Sequence, residues 1–327
     1  MRLRFNPYTY VRVGVMRTLL LKEEEYGRLL KMSFSEIAEE LRKTNYKQEI
    51  EERGMKYSGT ELIEHALNAN HKKSYEKLLR IADEALSRII KAYLFRNDIW
   101  NIKTILRSKM TRIEDVREIF LPGTLTNLDQ LLAKESLADV IKASGLFDPG
   151  FIKGLDQDDL MKVENDLDRY CFKALYDVGH SLPEGRVFRQ FIENIVDVNN
   201  VTTIFKLLYH KVPQDRIMEF MIDCSIQKRL LQKLASSKDV EELIDRLKDT
   251  PFKGVISKDD DLLLVEAKLQ RHLLKRAITL LHKNLLSVDI ILAYMLSKEI
   301  EIINLKRLVK GKQLGVPNEM IEKVLVV

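Results

Sequence analysis

The stretch Ser297-Lys-Glu-Ile-Glu-Ile-Ile-Asn-Leu-Lys-Arg-Leu-Val-Lys-Gly-Lys-Gln-Leu-Gly-Val-Pro317 decides how the chain is read. Its apolar positions Ile300, Ile303 and Leu308, with Ile302 and Leu305 beside them, recur at helical spacing. Asn304 interrupts this pattern, although an amide lowers helix propensity and competes for backbone hydrogen bonds. The core of the stretch, Glu301-Ile302-Ile303-Asn304-Leu305 running on to Leu308-Val309-Lys310, has two earlier counterparts. One is Asp197-Val198-Asn199-Asn200-Val201 running on to Ile204-Phe205-Lys206; the other is Asp98-Ile99-Trp100-Asn101-Ile102 running on to Ile105-Leu106-Arg107. Each reads acid, apolar, any residue, Asn, apolar, then two apolar residues and a base. The asparagines are 99 and 104 residues apart.

Other anchors share that period. Glu64 with Leu67, Glu164 with Leu167 and Glu266 with Leu269 follow at spacings of 100 and 102. The amphipathic triplets Phe34/Ile37/Ala38, Leu137/Val140/Ile141 and Val240/Leu243/Ile244 are spaced by 103 both times, and the aromatics Tyr46, Phe147 and Phe252 close them. Three anchors in one order in three copies establish a triplication. The expected division is into similar helical-bundle domains at 1–112, 113–212 and 213–327. Within each copy the pattern predicts an opening helix (near 22–32, 126–135 and 226–236), a second (35–43, 136–144, 238–248), a long helix from the Glu anchor and a last helix carrying the Asn.

No convincing period-two alternation occurs, so the fold class is all-α. Solenoid units of 20–50 residues need neighbours to bury a core, whereas about 100 residues can hold their own. Three such domains about a pseudo-threefold axis would make a ring or funnel whose cavity suits the end of a coiled coil or a seat on another ring; an open arc of three domains is the alternative. Asn101, Asn200 and Asn304, with Glu64, Glu164 and Glu266, are read as marks of this unit. Buried polar groups that recur with a fold are mostly satisfied locally, which favours a structural tie over three amides converging on an axial ligand.

Composition agrees. Apolar residues at 45% support a core, and with only 13 Gly and 7 Pro the balance is helical. A net charge of +5, from 54 basic and 49 acidic residues, is too slight for a duplex-binding face, so no nucleic-acid partner is expected. Cys171 and Cys224 stand alone in apolar helical contexts, which indicates a reducing compartment and no disulfide or zinc framework. No apolar run approaches the ~20 residues a spanning helix needs, and no signal sequence is evident. Catalytic patterns fail as well. Gly311-Lys312 is followed by Gln313 and forms no phosphate loop. The six histidines (His65, His71, His180, His210, His272, His282) include no pair one helical turn apart, so no metal is expected. Asp158-Asp159 and Asp260-Asp261 lack the third acid of a magnesium-diphosphate motif. No cofactor is expected.

The residues Leu292-Ala293-Tyr294 and Lys298-Glu299-x-Glu301-x-x-Asn304-Leu305-Lys306-x-Leu308-x-Lys310-Gly311-Lys312 resemble the C-terminal segment of the C subunit of archaeal and vacuolar-type ATP synthases, a family that includes the d subunit of the eukaryotic vacuolar proton pump. Tyr93-Leu94 with Asp98-Ile99-x-Asn101-Ile102-Lys103-Thr104-Ile105-Leu106-Arg107 resembles that family's first domain, and Asp168-Arg169-Tyr170 its second. Tyr8, Arg12-Val13 and Met16 followed by Leu19-Leu20 resemble its opening motif, with Tyr10 and Gly14 where Asn and Arg are expected. The resemblance implies a non-catalytic central-rotor subunit. It would sit as a peripheral protein on the cytoplasmic side of the membrane, on the ion-carrying proteolipid ring, with central-stalk subunits of coiled-coil type received in its cavity. It would pass torque between ion transport and ATP synthesis or hydrolysis. Lys306, Arg307, Lys310 and Lys312, with Lys103 and Arg107 in the first copy, lie towards the ends of corresponding helices. They complement the helix dipole, or they rim the funnel and meet acidic groups of the stalk or ring. The alternative function is a soluble triplicated scaffold that binds a coiled-coil partner in another complex.

Overall fold

Local sequence chemistry accounts for where the helices start. The computed structural model describes residues 7–113, 116–155, 159–182, 185–223, 228–281 and 288–327, so Cys224, His282 and Asp158 lie outside the described residues. The first third holds α1 (Pro7–Thr18), α2 (Glu23–Leu29), α3 (Phe34–Leu41), α4 (Lys47–Arg53), α5 (Gly59–Ile81) and α6 (Glu84–Thr111). A 3₁₀ turn at Arg117–Ile119 leads to α7 (Leu128–Leu132), α8 (Leu137–Ser144), α9 (Pro149–Gly154), α10 (Leu160–Ser181) and α11 (Gly185–Tyr209). The remainder is α12 (Gln214–Ile217), α13 (Lys228–Ala235), α14 (Val240–Leu247), α15 (Leu262–Leu281), α16 (Val288–Gln313) and α17 (Asn318–Val324). No strand occurs among the described residues.

The period read from the sequence reappears in the element boundaries. Helices α3, α8 and α14 are each eight residues long and begin at 34, 137 and 240. Each is capped by a side-chain oxygen, from Ser33, Ser136 and Asp239, that accepts the backbone N–H three residues on. Such caps stabilise by about 1 kcal/mol each because they satisfy an otherwise orphaned donor. Ser33 and Glu36 complete a reciprocal box. The helices bury their expected faces: Ile37, Val140 and Leu243 are fully enclosed, as are Tyr46 and Phe252, with Phe147 nearly so. Thr44 and Thr250 fix Tyr46 and Phe252. Each hydroxyl bonds back to the carbonyl of a Leu three residues earlier and accepts the N–H of Tyr46 or Phe252.

Packing groups the chain into two compact units. The unit of residues 68–185 is built on α6 and α10, which lie side by side with α7 and α8 against α6. The pairs Lys103–Asp168, Arg107–Glu164 and Arg88–Ser181 run in opposite order along the two helices, so α6 and α10 are antiparallel. The other unit joins residues 1–67 to 186–327. Here α16 packs on α15, α1, α3 and α17. One of its clusters draws Tyr26, Leu29, Ile37, Leu41, Tyr46, Ile63 and Leu67 from the first copy and Ile302, Leu305, Leu308, Val309 and Ile321 from the third. Sequence copies and packing units are thus cut differently.

Close approach explains one glycine. A Cβ at Gly123 would collide with the Asp98 carboxylate, itself held by backbone donors. Gly123→Ala is expected to destabilise by about 1–3 kcal/mol in urea unfolding. Gly14→Ala is the control: it lies inside α1 with open space around its Cα, and Ala should be neutral or stabilising there. Equal unfolding midpoints for the two variants would show that the Asp98 contact imposes no such constraint.

Candidate functional site

Each repeat-marking asparagine does the same work. Asn101 Nδ2 donates to the Leu121 carbonyl at 2.8 Å while the Leu121 N–H donates to Asn101 Oδ1 at 2.8 Å. Asn200 repeats this with Ile222 at 2.8 and 3.0 Å, and Asn304 with Val326 at 2.8 and 2.9 Å. A side-chain amide carries the donor and acceptor of one peptide unit, so it can pair with a passing segment as another backbone would. All three amides are buried, where an unmatched N–H or C=O costs about 1–3 kcal/mol. They are local ties between a helix and the chain 20 to 22 residues beyond it.

One turn before each asparagine stands an acid, on the same helix face. The repeat pattern marks these acids without giving them a role. Asp98, fully buried, accepts from Thr124 N at 2.8 Å, Thr124 Oγ1 at 2.6 Å and Leu125 N at 2.9 Å. Burial pushes its carboxyl above the ordinary aspartate value, against the pull of these donors. Glu301 accepts from Leu21 N at 2.6 Å, from Lys298 Nζ at 2.7 Å and from the Tyr46 hydroxyl. Lys298 also donates to the Tyr46 hydroxyl at 2.9 Å and sits over that ring, 4.4 Å from its centroid. The side chains of Lys298 and Glu301 are 0% and 3% exposed. Desolvation lowers the Lys298 pKa, with Glu301 acting against it, and desolvation together with Glu301 holds the Tyr46 phenol neutral. Leu125 and Leu21 stand 104 residues apart, so the acid of the third copy grips the first copy where Asp98 grips the second.

Two of the glutamate anchors pair with the closing bases of the preceding copy. Arg107 makes a two-point contact with Glu164, both bonds at 2.6 Å, and Lys206 pairs with Glu266. Glu64 acts electrostatically on half-buried Lys306, whose pKa burial lowers. The other basic candidates are mostly engaged inside the fold. Lys103 bonds Asp168 at 2.7 Å. Arg307 donates to the Val324 carbonyl at 2.9 Å and to Gln270 Oε1 at 3.3 Å, and Lys312 to the Leu30 carbonyl at 2.6 Å and Asn318 Oδ1 at 2.7 Å. Lys310 is exposed. Among the described residues no group of three or more His, Cys, Asp or Glu is placed to hold a metal. The Cys171 thiol is buried, and desolvation raises its pKa.

A helical scaffold stitched by one clasp used three times is therefore the class of protein that fold and site define. The chain belongs to the ATP synthase (C/AC39) subunit family, whose sequence profile matches residues 9–324. It is 35% identical to the C subunit of the A-type ATP synthase of Methanosarcina acetivorans, over 98% of this chain and 92% of that protein. Identity is 34% to the same protein of Methanosarcina mazei, with the same coverage, and 30% to that of Archaeoglobus fulgidus, over 98% of this chain and 96% of the relative.

Two substitutions test the clasp. Asn304→Leu keeps the volume but strands the Val326 N–H and carbonyl, and should lower unfolding stability by about 2–4 kcal/mol. Lys298→Met leaves the Glu301 charge buried without its cation and should cost about 3–5 kcal/mol. Adding Glu301→Gln should restore much of that loss, since it removes the stranded charge while the amide oxygen still accepts from Leu21 and the amide NH2 can donate to the Tyr46 hydroxyl. Additive losses in a double-mutant cycle would count against the pair.

Proposed function

We propose that the chain is a non-catalytic subunit of the central rotor of an A-type ATP synthase, made of three similar helical domains in a funnel about a pseudo-threefold axis. It links the central stalk to the membrane proteolipid ring and carries torque between ion translocation and ATP turnover. The full-length similarity to the C subunits of A-type ATP synthases carries this reading. Buried clasps and ion pairs support it, because a part that transmits torque must resist shear between its own elements. No helix among the described residues is long and apolar enough to cross a membrane, so the membrane-spanning part is assigned to the ring.

The partner surface is proposed at the C-terminal ends of α11 and α16, where Tyr209 and Leu314 are exposed and Lys310 projects to solvent. Lys103, Arg107, Arg307 and Lys312 are tied internally and are weaker candidates for that contact. A tagged copy of the chain is expected to co-purify with the proteolipid ring from solubilised membranes. Lys310→Glu should reduce recovered ring or stalk several-fold with an unchanged melting curve. Recovery from the soluble fraction, with a coiled-coil protein and no proteolipid, would favour the scaffold reading instead.

A further inference from the structure

Helix α1 presents two apolar faces. Thr9, Tyr10, Val13 and Met16 are buried, and α1 packs on α16. On the opposite side, Tyr8 (55% exposed), Val11 (65%), Val15 (53%) and Leu19 (48%) line up in solvent at helical spacing. Arg12 lies on that same side, its guanidinium 5.8 Å from the Tyr8 ring centroid. Exposed apolar residues are ordinary when scattered, but a continuous stripe on one helix marks a contact surface.

Charge indicates what the stripe meets. Residues 1–22 contain five bases (Arg2, Arg4, Arg12, Arg17, Lys22) and no acid before Glu23. That segment accounts for the whole +5 of the molecule, since the rest of the chain carries 49 bases and 49 acids. Among the described residues no carboxylate forms an ion pair with Arg12 or Arg17, whereas Lys103, Arg107 and Lys206 on the asparagine helices are each paired with a carboxylate. A short helix with an aliphatic and tyrosine stripe, flanked by arginines and lacking acids, has the make-up of a segment that lies in the headgroup region of an anionic bilayer.

We propose that α1 is a direct lipid contact. Its stripe of Tyr8, Val11, Val15 and Leu19 would seat at the acyl boundary, and its arginines on anionic headgroups. This contact is separate from the protein partners proposed above and does not depend on them.

The purified full-length chain should float with phosphatidylcholine vesicles that contain phosphatidylglycerol. Binding should be about tenfold weaker on phosphatidylcholine alone and should fade as salt screens the charges. Val11→Asp with Val15→Asp, both at exposed positions, should lose flotation while the melting curve stays unchanged. Arg12→Glu with Arg17→Glu should lose the preference for anionic lipid. Equal flotation of wild type and the valine double variant would overturn the proposal, and so would no binding to anionic vesicles. If wild type ignores vesicles yet binds a detergent-solubilised proteolipid ring through the same valines, the occupant is protein and the lipid proposal fails.

Discussion

The structure depends on the pairing of a side-chain amide with a passing backbone inside a helix interface. A long helix whose face is buried cannot hydrogen-bond sideways, because its own peptide groups are already used along its axis. A segment returning beside it would leave its N–H and carbonyl unmatched in an apolar site. Asn101, Asn200 and Asn304 remove that penalty by offering one peptide's worth of donor and acceptor. The modest loss of helix propensity at a single Asn, well under about 1 kcal/mol, is outweighed by two buried hydrogen bonds.

The acids do related work with different means. Asp98 holds Thr124 and Leu125, only 26 and 27 residues downstream, with neutral donors. Glu301 reaches Leu21, 280 residues away in sequence, and is backed by a buried cation and a tyrosine. Closing the longer loop costs roughly 2 kcal/mol more entropy, since the penalty grows with the logarithm of length. The more heavily charged clasp therefore sits where the larger entropy has to be overcome. Burial works against it, as the lowered Lys298 pKa indicates, and the compensation is geometric: Glu301 accepts from Leu21, Lys298 and Tyr46 together.

Much of this was legible from residue order. The 103-residue spacing of Phe34, Leu137 and Val240 falls on the first residues of α3, α8 and α14, because a capped amphipathic helix is a local event. Asn101, Asn200 and Asn304 each use both ends of the amide on backbone 20 to 22 residues on. What was not legible were the partners, since Leu121, Ile222 and Val326 offer only backbone and so leave no side-chain signature. The acids carried a signal, standing three residues before each asparagine, but its meaning needed the fold. Nor could spacing reveal that the core around Tyr46 is completed by Leu305 and Leu308 of the third copy. A repeat period gives the copies and says nothing about which copy's face closes which core.

The same distinction governs the basic residues. From sequence, Lys103, Arg107, Arg307, Lys310 and Lys312 form one class, bases towards the ends of repeated helices. In the fold, Lys103 and Arg107 are neutralised by Asp168 and Glu164, while Arg307 and Lys312 bind carbonyl groups. Once a carboxylate or carbonyl holds such a head group in place, it contributes to rigidity and presents little field to a partner. Lys310, exposed on α16, and Arg12 and Arg17 on α1 have no carboxylate partner among the described residues, so their charge is not spent on the packing. A body stitched internally by some of its charges meets other molecules through those that the stitching leaves over.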